Sequence, residues 1–165
     1  MRTSSGDLIA LFVERPVPPG MAAHEAAQAI REQGGVVGLA HPFDRFRSGG
    51  GRRGWESELE LLTPLLDYVE SWNARLMVGD GNSRAAAYAA ANDLAGAAVS
   101  DAHTLMEVGV AYTIFDQPID TAEELRAALP GAILFPARGS RLIRLGMPVA
   151  KVVQRLRGNR RVQPA

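Results

Sequence analysis

Two stretches of the chain each place a histidine directly after a short apolar run. Residues 36–40 lead into His41, and residues 97–100 lead into Asp101 and His103. Carboxylate oxygen and imidazole nitrogen at the end of a rigid strand suit Zn, Mn or Fe equally well. The residue types therefore indicate a divalent-metal site. The alternative for each histidine is a structural role with hydrogen bonds to the backbone, and an aspartate in this position is also typical of a turn.

The elements that must position these residues alternate between strands and helices. Asn73 also follows the carboxyl end of a predicted strand, as His41, Asp101 and His103 do. The carboxyl ends of the strands are where α/β folds build their sites. The alternation favours parallel βαβ units, so the predicted fold class is α/β with mainly parallel strands, in an open sheet or a barrel. Hydrophobic runs and helical periodicity predict strands at 7–13, 36–40, 68–72, 97–100, 112–115 and 132–135, helices at 22–33, 55–66, 83–92, 121–129 and 148–156, and a helical turn at 104–108.

Local signals set the ends of several helices. Gly34 is expected to end the first helix, Ser83 to cap the third, and Thr121 with Glu124 to form a capping box on the fourth. His24 lies among charged and alanine positions and is expected to face solvent. The predicted apolar face of the first helix consists of Ala22, Ala26, Ala27 and Ile30.

Composition is that of a globular domain. The chain has 165 residues, 47% of them hydrophobic, and a net charge of zero, which gives no general electrostatic reason to bind nucleic acid or a membrane. It has no cysteine, which excludes thiolate metal sites and is typical of a reducing cytoplasm. No signal peptide is recognisable, and no apolar run approaches the roughly 20 residues that span a bilayer. We therefore expect a cytoplasmic protein, with one domain over 1–137 and a basic tail over 138–165.

Three segments together resemble a known family. They are Gly-Gly-Val-Val-Gly-Leu-Ala-His-Pro-Phe-Asp at 34–44, Glu-Ser-Trp-Asn-Ala-Arg at 70–75 and Val-Ser-Asp-Ala-His-Thr-Leu-Met-Glu-Val-Gly-Val-Ala-Tyr-Thr at 99–113. In order and separation they resemble the C-terminal half of the PHP (polymerase and histidinol phosphatase) family of metal-dependent phosphoesterases. The resemblance covers residues 3–115 and, more loosely, the segment to 135.

This resemblance implies a fold and a set of ligands. The family fold is a distorted (β/α)7 barrel with a metal cluster at the carboxyl ends of its strands. By resemblance, His41 matches the His of the family's His-Pro motif, and Asp101 and His103 match its late Asp-x-His motif. Asp7 stands where many members carry a histidine at the start of a strand. The family's early His-x-His pair, the Asp and His after it and its bridging Glu have no counterpart here, so we expect the C-terminal portion of a barrel.

The resemblance also implies a substrate. Family members hydrolyse phosphate esters, so the expected partner is a phosphorylated small molecule or nucleotide, with nucleic acid only as a substrate and no membrane. Arg45, Arg47 and Arg75 are candidates for binding its phosphate. For the arginines of the glycine-rich loop, the alternative is a solvated loop without a ligand.

Two functions from different classes remain open at this point. The first is a PHP-type phosphoesterase, which would take its missing ligands from an upstream segment or another chain. The second is a non-catalytic PHP-like module, whose uncovered strand edge associates with a second copy or with a partner.

Overall fold

The computed structural model of the chain describes residues 1–44, 55–76 and 78–140. Arg45 and Arg47, and the helix predicted over 148–156, lie outside the described residues. The strands are β1 (Leu8–Leu11), β2 (Val36–Leu39), β3 (Tyr68–Asn73), β4 (Ala95–Val99), β5 (Tyr112–Ile114) and β6 (Ile133–Phe135), and the α-helices are α1 (Ala23–Arg31), α2 (Trp55–Leu62), α3 (Gly81–Ala91) and α4 (Ala122–Ala128). Single 3-10 turns occupy Thr63–Leu65, Leu105–Glu107 and Leu129–Gly131.

Four strands form the main sheet in the order β1-β2-β3-β4. Strands β2, β3 and β4 run parallel, which confirms the predicted α/β class with mainly parallel strands. Strand β1 departs from the βαβ pattern because it pairs with β2 antiparallel. Strands β5 and β6 form a separate antiparallel pair beside β4. The side-chain oxygen of Thr113 in β5 connects this pair to β4 by bonding both the N–H and the C=O of Ala98, at 2.9 and 3.0 Å.

Helices cover both faces of the main sheet. Helices α1, α2 and α3 share one apolar core with Val37 and Val69. Helix α4 packs on the opposite face, in a second core that contains Val36 and Tyr68. Adjacent residues such as Val36 and Val37 point into different cores because side chains alternate along a strand. This sandwiching explains why the parallel strands read as continuous apolar runs.

The local signals were read correctly in most but not all cases. Gly34 has a φ of 78°, the left-handed conformation of a helix stop, and Thr121 with Glu124 forms the predicted capping box. Two predictions are wrong. Helix α3 begins at Gly81 after Asp80, so Ser83 lies inside the helix instead of capping it, and Ala23 rather than Ala22 completes the buried face of α1. In both cases the first helical residue differs from the one that the sequence pattern suggested.

His24 does not simply face solvent, as the sequence predicted. Its ring Nδ1 lies 3.1 Å from a carboxylate oxygen of Glu58 on α2, and its backbone N–H donates to the same oxygen at 2.9 Å. The pair joins the first turns of two neighbouring helices. Within the described residues, no helix has the length and apolar character that crossing a membrane requires.

Candidate metal centre

The predicted ligands collect at one edge of the main sheet, which we call the carboxyl edge. It consists of the carboxyl ends of β2, β3 and β4 and of the start of β1. His41 follows β2, Asn73 ends β3, and Asp101 and His103 follow β4. Asp7 reaches the same edge only because β1 is antiparallel to β2, and its C=O accepts the N–H of Ala40 at 3.2 Å. The topology therefore brings residues that are distant in sequence to one rim.

Asp7 and His41 form the first pair of candidate ligands. Their nearest atoms are His41 Nε2 and Asp7 Oδ2, 3.8 Å apart. His41 is buried, and Asp7 is partly buried with Arg2 3.8 Å from its other oxygen. A carboxylate and an imidazole thus face one another at the boundary between the core and the surface.

Asp101 and His103 form the second pair. His103 Nδ1 lies 3.6 Å from Asp101 Oδ1 and 2.8 Å from the Asp101 carbonyl oxygen. The bond to the carbonyl orients the ring and leaves Nε2 directed elsewhere. The imidazole of this pair is more accessible than that of the first, since 39% of the His103 side chain is exposed and only 9% of the His41 side chain.

Glu70 and Asn73 lie between the two pairs. One Glu70 carboxylate oxygen accepts the backbone N–H of His41 at 3.0 Å and the Asn73 side-chain amide at 3.1 Å. The same Asn73 nitrogen donates to Asp101 at 3.2 Å. Residues three apart face opposite sides of a regular strand, but a bulge between Glu70 and Trp72 shifts the register of β3 against β4 and lets these two side chains meet.

Two of the candidate ligands sit in strained backbone conformations. His41 has a φ of 29° and Asp101 a φ of 49°, and only two other described non-glycine residues, Phe12 and Asp93, have positive φ. This region disfavours residues with a Cβ atom and is maintained only when the surroundings enforce it. Strain of this kind concentrates at functional sites, and here it occurs at the first residue after β2 and β4 that carries a candidate ligand.

Glu107 anchors the turn that carries His103. Its buried carboxylate accepts the N–H of His103 at 2.9 Å, the Thr104 hydroxyl at 3.1 Å and Nη1 of Arg75 at 3.0 Å. Burial raises the pKa of Glu107, but the His103 amide, Arg75 and Thr104 outweigh it and hold the pKa below its ordinary value. Arg75 is therefore engaged with a carboxylate in this structure, and its predicted role in phosphate binding stays a prediction.

The donor atoms at the carboxyl edge fit a divalent metal in kind. Each pair offers one carboxylate and one imidazole, which suit Zn, Mn or Fe. Within residues 1–44, 55–76 and 78–140, however, no three His, Asp or Glu side chains are grouped closely enough to hold an ion. A catalytic metal usually has about three protein ligands. Each pair alone would therefore be an incomplete ligand set.

Sequence reasoning missed Glu70 and Glu107. Both are carboxylates that lie buried, at 6% and 4% exposure. Glu70 carried a readable signal, because it is the one charged residue in the apolar run Tyr-Val-Glu-Ser-Trp. Glu107 carried a weaker one, the capping-box spacing of Thr104 and Glu107, but its partner Arg75 is 32 positions away.

Comparisons with known proteins support the resemblance to the PHP family. A family model described as PHP-associated matches residues 79–130. Two uncharacterised proteins of Methanocaldococcus jannaschii are 36% identical over 115 residues and 32% identical over 72 residues, covering 70% and 44% of this chain. The chain spans about half or less of these relatives, 48% and 38% of their lengths. The chain thus resembles the C-terminal portion of PHP proteins.

Solved structures show a similar fold. PsfC from Pseudomonas syringae PB-5123 aligns with 87% of this chain and 56% of its own, with a TM-score of 0.55 and 17% identity. A protein from Bifidobacterium adolescentis, provisionally described as a metal-dependent phosphoesterase, aligns with 70% of this chain and 38% of its own, with a TM-score of 0.47 and 26% identity. The shared fold rests on the first of these two.

Proposed function

We propose that the chain forms part of a metal-dependent phosphoesterase of PHP type, which hydrolyses phosphate esters of small metabolites, nucleotides or oligonucleotide ends. The observation that carries this proposal is the gathering of Asp7, His41, Asp101 and His103 at the carboxyl edge. The strained backbone at His41 and Asp101 supports it further. The PHP-associated match over 79–130 supports the same assignment. The remaining ligands come from outside the described residues or from a second polypeptide.

The two pairs have distinct parts in this proposal. Mn, Zn or Fe bound there would supply a water that ionises near neutral pH and would neutralise charge on the phosphoryl oxygens. His41 offers its imidazole from a buried position, where water competes little for it, beside the partly buried Asp7. His103 offers its imidazole at the exposed rim, where a substrate has access, beside the partly buried Asp101. Arg45 and Arg47 follow His41 in sequence and are proposed to bind substrate phosphate.

A hydrolysis assay on the full chain tests the proposal. With saturating Mn2+, we expect turnover of bis(p-nitrophenyl) phosphate that chelation abolishes. His41→Ala and His103→Ala should each lower the rate at least tenfold, and His24→Ala, the control at the remaining histidine, whose ring contacts Glu58 on α2, should retain it. A phosphodiesterase rate and a melting temperature that saturating metal leaves unchanged would refute the proposal for this chain.

A second candidate is a non-catalytic module that associates with a second copy of itself. It is favoured by the outer face of the β5–β6 pair, where the cross-strand partners Tyr112 and Phe135 stack with ring centroids 4.9 Å apart. Ile114 and Ile133 pair beside them, and all four side chains are at least 42% exposed. An apolar sheet face of this kind is typical of a surface that another chain covers.

Light scattering separates the two candidates. Self-association through this face predicts a dimer that Ile133→Lys converts to a monomer, with Val78→Lys as the control at another exposed apolar position. A monomer at all accessible concentrations would exclude the second candidate.

A further inference from the structure

We propose that Asn73 is the positioning residue that sets the separation between the two ligand pairs, Asp7–His41 and Asp101–His103. That the two pairs bind metal rests on the proposed function. The positioning role of Asn73 is argued from the hydrogen bonds of the carboxyl edge. Asn73 neither faces solvent nor needs to touch a metal. It acts through Glu70 on one side and through Asp101 on the other.

The Asn73 side chain is buried and forms three hydrogen bonds, with Glu70, Asp101 and Arg75. It is 0% exposed. Its Nδ2 donates to Glu70 at 3.1 Å and to Asp101 at 3.2 Å, and its Oδ1 accepts the N–H of Arg75 at 2.9 Å. Because the Arg75 amide can only donate, the carboxamide has one orientation, with its nitrogen directed at the two carboxylates.

A carboxamide is the side chain that this position requires. Glu70 and Asp101 each have a carboxylate oxygen within hydrogen-bond distance of one nitrogen, so two negative charges approach one another at a poorly solvated edge. A neutral group with two donor hydrogens compensates both. Aspartate at position 73 would add a third carboxylate, and leucine would leave both without this donor.

The bridge extends to the His41 backbone. The Glu70 oxygen that accepts from Asn73 also accepts the His41 N–H at 3.0 Å. His41 has a φ of 29°, so its conformation depends on contacts that enforce it. Asn73 therefore links the strained residue after β2 to the strained residue after β4, across the intervening strand β3.

The structure provides matched controls for testing this bridge. Thr113→Val, like Asn73→Leu, nearly preserves side-chain shape; it removes two hydrogen bonds to a neighbouring strand, both to Ala98, whereas Asn73→Leu removes two bonds to carboxylates and one from the Arg75 amide. Within one protein, the Val37 N–H donates to the Asp67 carboxylate at 2.7 Å, which matches the bond from His41 to Glu70 without involving Asn73.

The experiment measures two quantities on the full chain and on both variants. The first is hydrogen exchange of the His41 and Val37 amides without metal, and the second is Mn2+ affinity by equilibrium dialysis. In Asn73→Leu, we expect at least tenfold lower protection of the His41 amide relative to Val37, and at least tenfold weaker Mn2+ binding. In Thr113→Val, both should stay within twofold of the wild-type chain. If Asn73→Leu fails to fold, Asn73→Asp keeps the acceptor for Arg75 and should show the same loss of protection.

The outcomes separate this inference from the proposed function. Unchanged His41 protection in the Asn73 variants would overturn the positioning role, even if the wild-type chain binds Mn2+. Equal losses in Thr113→Val would also overturn it, because they would reflect general destabilisation. Selective loss at His41 in a chain that binds no Mn2+ would support the bridge and contradict the proposed function.

Discussion

At the scale of single residues, Glu107 and Arg75 form a buried ion pair that holds the turn bearing His103 against the end of β3. Only 5% of the Glu107 side chain and 11% of the Arg75 side chain are exposed. Because both charged groups are removed from bulk water, each needs the opposite charge of the other to compensate its lost hydration. The position of His103 therefore depends on Arg75 through the carboxylate of Glu107.

Arg75→Leu should destabilise the protein by about 3 kcal/mol, because removing one partner leaves a buried charge uncompensated. Urea unfolding measures the loss. Adding Glu107→Gln should recover part of it, because glutamine still accepts the His103 and Thr104 bonds without a negative charge. A loss below about 0.5 kcal/mol in the single variant would contradict the pairing.

Individual site residues were predictable where their chemistry appeared next to a strand end. His41, Asp101 and His103 follow apolar runs, so their placement at one edge could be read from local sequence. The buried ion pair of Glu107 could not, because its cation, Arg75, comes from the turn after β3, 32 positions away. That Asp7, His41, Asp101 and His103 bind metal stays a prediction.

At the scale of elements, the packing of β2 against β3 depends on the absence of a side chain at Gly38. A Cβ atom there would lie 2.3 Å from the Tyr68 ring. Burial of the Tyr68 hydroxyl raises its pKa well above the ordinary value, and the nearby carboxylates of Glu70 and Asp67 raise it further. Tyr68 is thus a closely packed neutral side chain in the core beneath α4.

Gly38→Ala should cost about 2 kcal/mol of unfolding free energy, because the ring must move out of a filled core. Gly131→Ala, where an added Cβ meets nothing within 4 Å, is the control and should change stability by less than about 0.5 kcal/mol. Equal effects of the two substitutions in urea unfolding would show that the Tyr68 contact does not limit this position.

The capping box of α4 predicts a dependence of stability on pH. The backbone amides of Asp120 and Thr121 donate to Glu124 at 2.8 and 3.0 Å and hold the pKa of its carboxyl below the ordinary value of 4.5. Because the pKa is lower in the folded state, this contribution is complete above pH 4.5 and is lost as the pH falls below it.

Glu124→Gln should therefore flatten the acid side of the stability profile, and Glu123→Gln in the same helical turn should not. Urea unfolding from neutral pH to below pH 4.5 checks this. Parallel profiles for the wild-type chain and Glu124→Gln would contradict the role of the capping box.

Element types could be predicted from the sequence, but the direction of β1 could not. Strand and helix boundaries follow local periodicity and turn residues, and all six predicted strands are present among the described residues. The antiparallel direction of β1 depends on where the chain re-enters the sheet, which the segment from Glu14 to Met21 does not encode in its hydrophobic pattern. That direction is what places Asp7 beside His41.

At the scale of the whole molecule, the described residues form a main sheet with helices on both faces and polar side chains gathered at its carboxyl edge. Asp7, His41, Glu70, Asn73, Asp101 and His103 form a continuous polar row along that edge. The row crosses all four strands, so any ligand bound by both pairs would stabilise the whole main sheet. The chain spans 48% of the length of the Methanocaldococcus jannaschii relative with which it aligns over 115 residues. Under the proposed function, the complete ligand set belongs to a larger assembly.

The most direct test of the central claim is the melting temperature of the full chain with and without Mn2+. A ligand that binds only the folded protein stabilises it by about 2.7 kcal/mol at a hundredfold excess over its dissociation constant. We expect the wild-type chain and His24→Ala to gain a metal-dependent increase in melting temperature, and His41→Ala and His103→Ala each to lose it. The same response in all four proteins would contradict a metal centre that spans the two pairs.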